Sequence, residues 1–380
     1  MHIGLFSDAY LPEISGVTTT VHWLKEELEN LGHVVYVYAP HYEGIKEDEA
    51  GIFRFHSGRF AFHKASRVAL PYSRAATRSF KELDILHSHT PFSMGLVAVG
   101  AATRYHLPHV HTYHTHLMED RKYLPRALRP RERETGKIIA AFCNRCTLIT
   151  APSTAFKEEL LGYGVHRPIR VFPFGVKLSL FRQPPIWDPR VELNIPQKAK
   201  MFLYAGRLAM EKNLPFLIRA YAQIHAQDPT SVLVLAGDGP LRERTQEEVK
   251  EMGIGDAVRF TGFLDHPRLV DLYKAADLFL FASKTETQGL VLVEAMAAGT
   301  PAVAIGALGV LDVVQDGVNG ILVPEDKDTF VEAALALAND EERRSLLQRG
   351  ALATAEELST RNSTLRLLEV FEECLNGLPE

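Results

Sequence analysis

The chain is 380 residues long, 46% hydrophobic and 23% charged, a composition that excludes a disordered, collagen-like or disulfide-stapled polypeptide and suggests two globular domains. Net charge is -5, yet residues 1–180 hold 22 Lys and Arg against 17 Asp and Glu while the remaining 200 hold 20 against 30, so the two halves are expected to meet different partners. No apolar run reaches the roughly 18 residues needed to span a bilayer, the three cysteines favour a reducing compartment, and "MHIGLFSDAY" lacks the pattern of a leader peptide; a cytoplasmic setting is the expectation.

Short apolar runs alternate with amphipathic stretches along the chain. "HIGLFS" (2–7) predicts the first strand, and Val17, Val21, Leu24, Leu28 and Leu31 line one face of a helix that Gly32 can close in a left-handed conformation. "HVVYVYAP", "DILHSHT" (84–90), "HVHTYH" (109–114), "TLITAP" (147–152) and "IRVFPFG" (169–175) predict further strands. Four prolines in residues 177–197 break the rhythm and mark a linker. Strands resume with "KMFLYAG" (200–206), "SVLVLAGDGP" (231–240), "VRFTGF" (258–263), "DLFLFAS" (277–283) and "TPAVAIG" (300–306). The expected division is a first domain at 1–176, a linker at 177–197, a second domain at 198–357, and a C-terminal helix at 358–380 free to cross back to the first domain. The fold class is α/β: two open, mostly parallel, Rossmann-like sheets wrapped by helices, with a cleft between them. In such sheets ligands lie beyond the carboxyl ends of the strands.

Polar residues of the second half gather just after strands. Arg207 ends "KMFLYAG" and Lys212 follows five residues later, while "SKTETQGLVLVEAM" turns from strand into helix with Glu286 and Glu294 eight positions apart. Amides of Gly289 and Leu290 at that helix start can cradle a phosphate, with Arg207 and Lys212 supplying positive charge. Gly289 removes the Cβ that would hinder close approach. Glu286 and Glu294 are acceptors for diols, one towards a sugar and the other towards a ribose. Singly, each residue has an ordinary structural use, as helix-dipole partner or surface charge. Together at neighbouring strand ends they point to a site, and a Glu embedded in the apolar "LVLVEAMAAG" needs partners if buried. Asp238 in "GDGP" is read as a turn residue.

These motifs resemble those of the family 4 retaining glycosyltransferases of the GT-B fold, over nearly the whole chain. "GRLAMEKN" matches the family's Arg/Lys phosphate motif, "ETQGLVLVE" its Glu-seven-Glu motif, and "SDAYLPEISGVTTTV" the loop that closes over the donor diphosphate. Position by position, the resemblance implies that Arg207 and Lys212 bind the diphosphate, Glu286 the donor sugar and Glu294 the ribose, with backbone at Gly16, Gly289 and Leu290 touching phosphate or sugar. "YLPEISGV", "HTYHTHLMED" and "TETQG" further resemble the branch that glucosylates diacylglycerol at bacterial membranes. There His114 matches an active-site histidine beside the sugar's 6-hydroxyl, and Glu119 and Asp120 an acidic pair near the acceptor. The departures are Phe174 and Lys177, where the family shows a small polar residue and Asp, and Ser15 in place of Gly. The implied activity is retaining transfer of a hexose, glucose from UDP-glucose, onto diacylglycerol or a glycolipid. The donor is a substrate and no cofactor is required; residues 200–330 are read as lacking an Asp-x-Asp to hold a divalent ion, so metal independence is expected.

Histidines 87, 89, 109, 111, 114 and 116 invite a zinc reading, but no His-Glu-x-x-His helix accompanies them, and His109 with His111 would simply share a strand face. Cys143 and Cys146 are read as buried thiols on consecutive helix positions. Residues 53–81 carry seven Lys or Arg, no acids and five Phe; residues 121–137 carry seven more Lys or Arg against two Glu. Such aromatic-interleaved basic segments suit an anionic membrane surface, placing the chain at the inner face of the cell membrane; no nucleic-acid module is present. Two alternatives stay open: a soluble transferase with a sugar or small-molecule acceptor, and a non-catalytic protein binding nucleotide sugar or membrane.

Overall fold

A computed structural model describes residues 1–13, 15–45, 49–59, 67–114, 118, 121 and 129–377. The chain forms two compact units, one of Met1–Phe174 with the segment from Thr360 onward, the other of Gly175–Ser359.

In the first unit the strands are β1 (His2–Phe6), β2 (Val34–Pro40), β3 (Ile52–Phe55), β4 (Ser57–Arg59), β5 (Arg67–Ala69), β6 (Ile85–Ser88), β7 (His109–Thr112), β8 (Leu148–Ala151) and β9 (Ile169–Val171). Seven of them form a parallel sheet in the order β3-β2-β1-β6-β7-β8-β9, while β4 and β5 pair antiparallel. The second unit holds β10 (Met201–Ala205), β11 (Val232–Ala236), β12 (Val258–Gly262), β13 (Leu278–Phe281), β14 (Ala302–Ile305) and β15 (Gly320–Val323), parallel in the order β12-β11-β10-β13-β14-β15. Strand order reverses beside the first strand of each sheet, at β1/β6 and at β10/β13. Reversal opens a crevice at the carboxyl ends of the two strands that flank it.

A parallel sheet covered on both faces demands continuous apolar runs. "MFLYA" and "VLVLA" meet that demand, with every residue of β10 and β11 buried. Phe202, Tyr204, Leu233 and Leu235 pack on one side with Leu217 and Tyr221 of the helix Leu214–Gln227; Met201, Leu203, Val234 and Phe279 pack on the other with Leu292 and Met296. The edge strands β3 and β15 and the short hairpin strands β4 and β5 escape the sequence reading.

The helix Gly16–Asn30 starts at Ser15, whose Oγ accepts from the Thr18 N–H at 3.2 Å, and ends where Gly32 takes φ +86°. The C-terminal helix Thr360–Leu375 belongs to the first unit: Arg361 reaches Glu27 at 3.3 Å and the Phe371 ring meets the edge of His87 at 5.5 Å. The proline-rich stretch 177–197 carries two short helices, Leu178–Phe181 and Pro189–Glu192. It sinks Phe181 and Ile195 into the core of the second unit, where Arg190 pairs with Asp277 at 3.0 Å.

Candidate functional site

At the β10/β13 reversal the chain leaves β10 through Gly206 to an exposed Arg207, whose carbonyl accepts from the buried Tyr204 hydroxyl at 3.0 Å. A single turn, Met210–Lys212, follows. The loop leaving β13 is tied to that turn: Ser283 and Thr285 hydroxyls both donate to the Glu211 carbonyl at 3.2 Å. Lys212 Nζ then lies 2.6 Å from Glu286 Oε2, with the two side chains 21% and 14% exposed. Phosphate and sugar roles are expected for these residues separately; in this structure they neutralise each other.

Gly289 sits at φ +84°, where a Cβ would strain the backbone and lie 3.0 Å from Leu292 Cδ1. Helix Leu290–Ala297 begins there, and its N-cap residue, a glycine, makes no side-chain cap. Its first N–H groups are those without intrahelical acceptors, next to the positive end of the helix dipole. The approach is braced from behind. Gly309 N–H donates to the Glu286 carbonyl at 3.1 Å, and a Cβ on Gly309 would fall 2.2 Å from the Thr287 carbonyl oxygen. Gln288 is buried beside it.

Glu294, one turn into that apolar helix, is only 13% exposed and is held at both oxygens: His266 Nε2 lies 3.1 Å from Oε1, and the Tyr273 hydroxyl donates to Oε2 at 3.0 Å. Burial first, and then the carboxylate itself, push the Tyr273 phenol well above its ordinary value, so it stays a donor. Two partners account for the burial of this carboxylate and leave lone pairs for a further donor pair. Asp238 is a turn residue: its carboxylate accepts from the Gly239 N–H at 2.7 Å and pairs with Arg242 at 3.1 Å. One correction concerns the metal motif. The second half does contain an Asp-x-Asp, Asp326-Lys327-Asp328, and there Asp326 caps the helix Lys327–Asn339 by accepting from Thr329 N–H at 2.8 Å.

The β1/β6 reversal of the first unit is built differently. Asp8, just past β1, accepts from Thr90 Oγ1 at 2.6 Å, from Ser93 Oγ, and from the Met94 N–H at 3.1 and 3.2 Å. A buried carboxylate from 85 residues away therefore occupies the N-terminus of the helix Ser93–Tyr105. Burial outweighs these hydrogen bonds and raises the Asp8 carboxyl above its ordinary value.

Beside it lie the histidines. His87 Nε2 is 2.6 Å from Thr112 Oγ1, and Ser88 Oγ bridges His109 Nε2 at 2.7 Å and His111 Nδ1 at 2.8 Å, so the last two do share a face. His89 Nδ1 is 2.9 Å from His114 Nε2, with ring centroids 5.2 Å apart, and the half-buried His114 ring lies 4.8 Å from Phe174. Burial drives the imidazoles of His87, His89, His109, His111 and His114 far below their ordinary range, so all are neutral near pH 7. Among the described residues, no three His, Cys, Asp or Glu side chains are arranged to hold a metal ion.

Gly16 opens its helix behind the Ser15 cap, and a Cβ there would meet open space. The loop before it is pinned by Arg54, which donates to Leu11 O at 2.8 Å and Pro40 O at 3.1 Å while lying 5.4 Å over the Tyr10 ring; Tyr42 Oη donates to Glu13 at 2.7 Å. Arg54 and Arg67 of the first basic segment are thus engaged within the unit, Arg67 with Ser57 at 2.8 Å, and Arg121 of the second pairs with Glu132. His116, Glu119, Asp120 and residues 60–66 and 122–128 lie outside the described residues. Cys143 ends its helix and Cys146 falls in the turn beyond; both are buried, and burial pushes the Cys143 thiol up to about 12. Sequence reasoning missed Tyr273 and His266 behind Glu294, and Asp8; the position of Asp8 directly after the first strand was the available signal.

Known proteins resemble this chain in sequence and in fold. Residues 14–180 match the family described as Glycosyltransferase Family 4 and residues 185–352 that described as Glycosyl transferases group 1. The chain is 33% identical over 356 residues to an alpha-monoglucosyldiacylglycerol synthase of Streptococcus pneumoniae, covering 88% of this chain and 79% of that one. It is 32% identical over 324 residues to a D-inositol 3-phosphate glycosyltransferase of Catenulispora acidiphila, covering 82% and 77%. Among solved structures, HepE of Anabaena in complex with UDP and glucose superposes with a TM-score of 0.78 at 20% identity, covering 98% of this chain and all of that one, a likeness of fold. No described helix is long and apolar enough to cross a membrane. With a Family 4 first half and a group 1 second half, the chain belongs to the GT-B glycosyltransferases and is an enzyme related to the alpha-monoglucosyldiacylglycerol synthases.

Proposed function

We propose that this enzyme transfers glucose from UDP-glucose, with retention, to diacylglycerol or a membrane glycolipid. The observation that carries the acceptor is the 33% identity over 88% of the chain to an alpha-monoglucosyldiacylglycerol synthase, joined by a second at 31% from Acholeplasma laidlawii. Support for a UDP-glucose donor comes from HepE, a relative in fold that has been solved with UDP-glucose.

In this reading the diphosphate lies at the Gly289–Leu290 amides, with Arg207 and Lys212 against its oxygens. Glu286 exchanges its Lys212 partner for sugar hydroxyls, Glu294 takes the ribose diol, and the Gly16 backbone meets the phosphate. His114 holds the hexose. The bond from the anomeric carbon to the diphosphate oxygen breaks while the acceptor hydroxyl oxygen bonds to the same face, and its proton passes to the departing phosphate oxygen. Cations and amides already in place where charge develops on the leaving group lower that barrier. Membrane attachment is supported by exposed Val68, Leu70 and Tyr72, followed in sequence by exposed Arg74, Arg78 and Lys81 in the first unit.

A second reading, a small soluble acceptor, is favoured by the D-inositol 3-phosphate glycosyltransferases at 32% identity. The test is a screen of UDP-glucose, UDP-N-acetylglucosamine and GDP-mannose against diacylglycerol vesicles, monoglucosyl lipid and inositol phosphate. Transfer from UDP-glucose to lipid is expected. Transfer confined to inositol phosphate would establish the second reading instead.

A further inference from the structure

We propose that His89 is a positioning residue: its Nδ1–H donates to His114 Nε2 and thereby fixes His114 as the tautomer whose Nδ1–H is the donor available to substrate. The proposal rests on the reading that His114 holds the donor sugar, and it adds which residue orients that imidazole and what polarity it presents.

The geometry comes from two adjacent strand ends. His89 directly follows β6, His114 lies two residues beyond β7, and β6 and β7 are hydrogen-bonded neighbours in register, with Ser88 opposite His111. Both rings are thereby brought to the carboxyl edge of the sheet, 2.9 Å apart at Nδ1 and Nε2 and inclined by only 24°. His89 is 1% exposed and cannot itself reach a ligand, whereas His114 is half-buried. A 2.9 Å contact between two neutral imidazoles requires one hydrogen between them, carried by one nitrogen or the other.

The remaining nitrogen of His89 decides which. His89 Nε2 is buried and, among the described residues, has no hydrogen-bond partner. Were His114 Nε2–H the donor, His89 would carry its own hydrogen on Nε2, a buried N–H aimed at nothing, the rarest kind of unsatisfied group. With the hydrogen on His89 Nδ1, the orphan is a bare lone pair instead. His114 is then neutral with its hydrogen on Nδ1, and its Nε2 is spent on His89. Hydrogen positions in such pairs follow from the network, and here the network has one arrangement without a stranded donor. Phe174, 4.8 Å from the His114 ring, walls the imidazole on an apolar surface and offers no competing acceptor from its side chain.

The tautomer is read directly by long-range 1H–15N spectra of the histidine-labelled full chain without substrate, with His114 assigned by its loss in His114→Gln. The Nδ1–H tautomer is expected. In His89→Asp, which puts an acceptor where the donor was, His114 should switch to Nε2–H. An Nε2–H form in the unsubstituted protein, or no switch in His89→Asp, overturns the proposal whatever the substrates prove to be. Activity supplies the second arm, with UDP-glucose and diacylglycerol as probes. His89→Leu should lower kcat roughly tenfold, the worth of one hydrogen bond in the transition state, with little change in donor KM. His89→Asn, whose amide N–H overlays Nδ1–H, should recover most of that loss. Equal loss in folded Leu and Asn variants overturns the positioning role.

Discussion

The two sheets share a topology and use its reversal point in opposite ways. At β1/β6 the helix N-terminus is filled from within by Asp8, fixed by Thr90, Ser93 and Met94. At β10/β13 the corresponding helix starts at Gly289, which has no side chain to cap it, and the charged groups around it are paired with one another. A Rossmann-like order creates an anion site wherever it reverses, but the residue after the first strand determines whether the protein keeps that site for itself. An Asp there closes it; a Gly-Arg step leaves the helix start to a glycine.

That contrast can be tested, and the largest expected effect is on acid stability. His87, His89, His109 and His111 are buried and neutral in the first unit, with imidazoles held far below their ordinary value near 6.5, His109 near 3. The unfolded chain takes up protons below pH 6.5 and the folded one does not, so stability present above 6.5 is lost as pH falls through the interval from 6.5 towards 3. Each imidazole that protonates only on unfolding contributes about 1.4 kcal/mol per pH unit. Hydrogen exchange between pH 7 and 5 should therefore accelerate in β6 and β7 before β10 and β11; simultaneous loss would erase the distinction.

Next in size is Glu286→Gln, for which kcat/KM should fall on the order of a hundredfold or more. Turnover at the unsubstituted level would remove Glu286 from the site. Asp8→Ala strands three donors, two hydroxyls and an amide, and should cost about 3 kcal/mol of stability. Nucleotide affinity measured by calorimetry should not change, and a comparable loss of affinity would mean that the first unit's reversal point also serves the donor. Smallest is Tyr273→Phe, which takes one hydrogen bond from Glu294. It should raise the KM for the nucleotide sugar about fivefold, roughly 1 kcal/mol, with kcat held; a fall in kcat at constant KM would place Glu294 away from the ribose.

Strands buried on both faces were legible because "MFLYA", "VLVLA" and "LFLF" can be little else between turn residues. Glu294 was legible by its strangeness, a charge in "LVLVEAMA". What sequence could not show is pairing at a distance. Lys212 and Glu286 are 74 residues apart and Asp8 and Ser93 are 85 apart, and no local period encodes either contact. The register of the β-sheets brings them together. Edge strands β3 and β15 were missed because "IFRF" and "GILV" are covered less completely than the central strands. Gln288 is buried and Gly309 packs against the Thr287 carbonyl, a consequence of a loop about twenty residues downstream.

The 2.6 Å contact between Lys212 and Glu286 also bears on how this site can evolve. Removing either side chain strands the other as a partly buried charge, so much of the penalty of the first substitution is already present when the second is made. Lys212→Met and Glu286→Gln should accordingly be strongly non-additive in a double-mutant cycle. Positions coupled in this way drift together or not at all. A lineage that acquires a different donor would change both within a short interval.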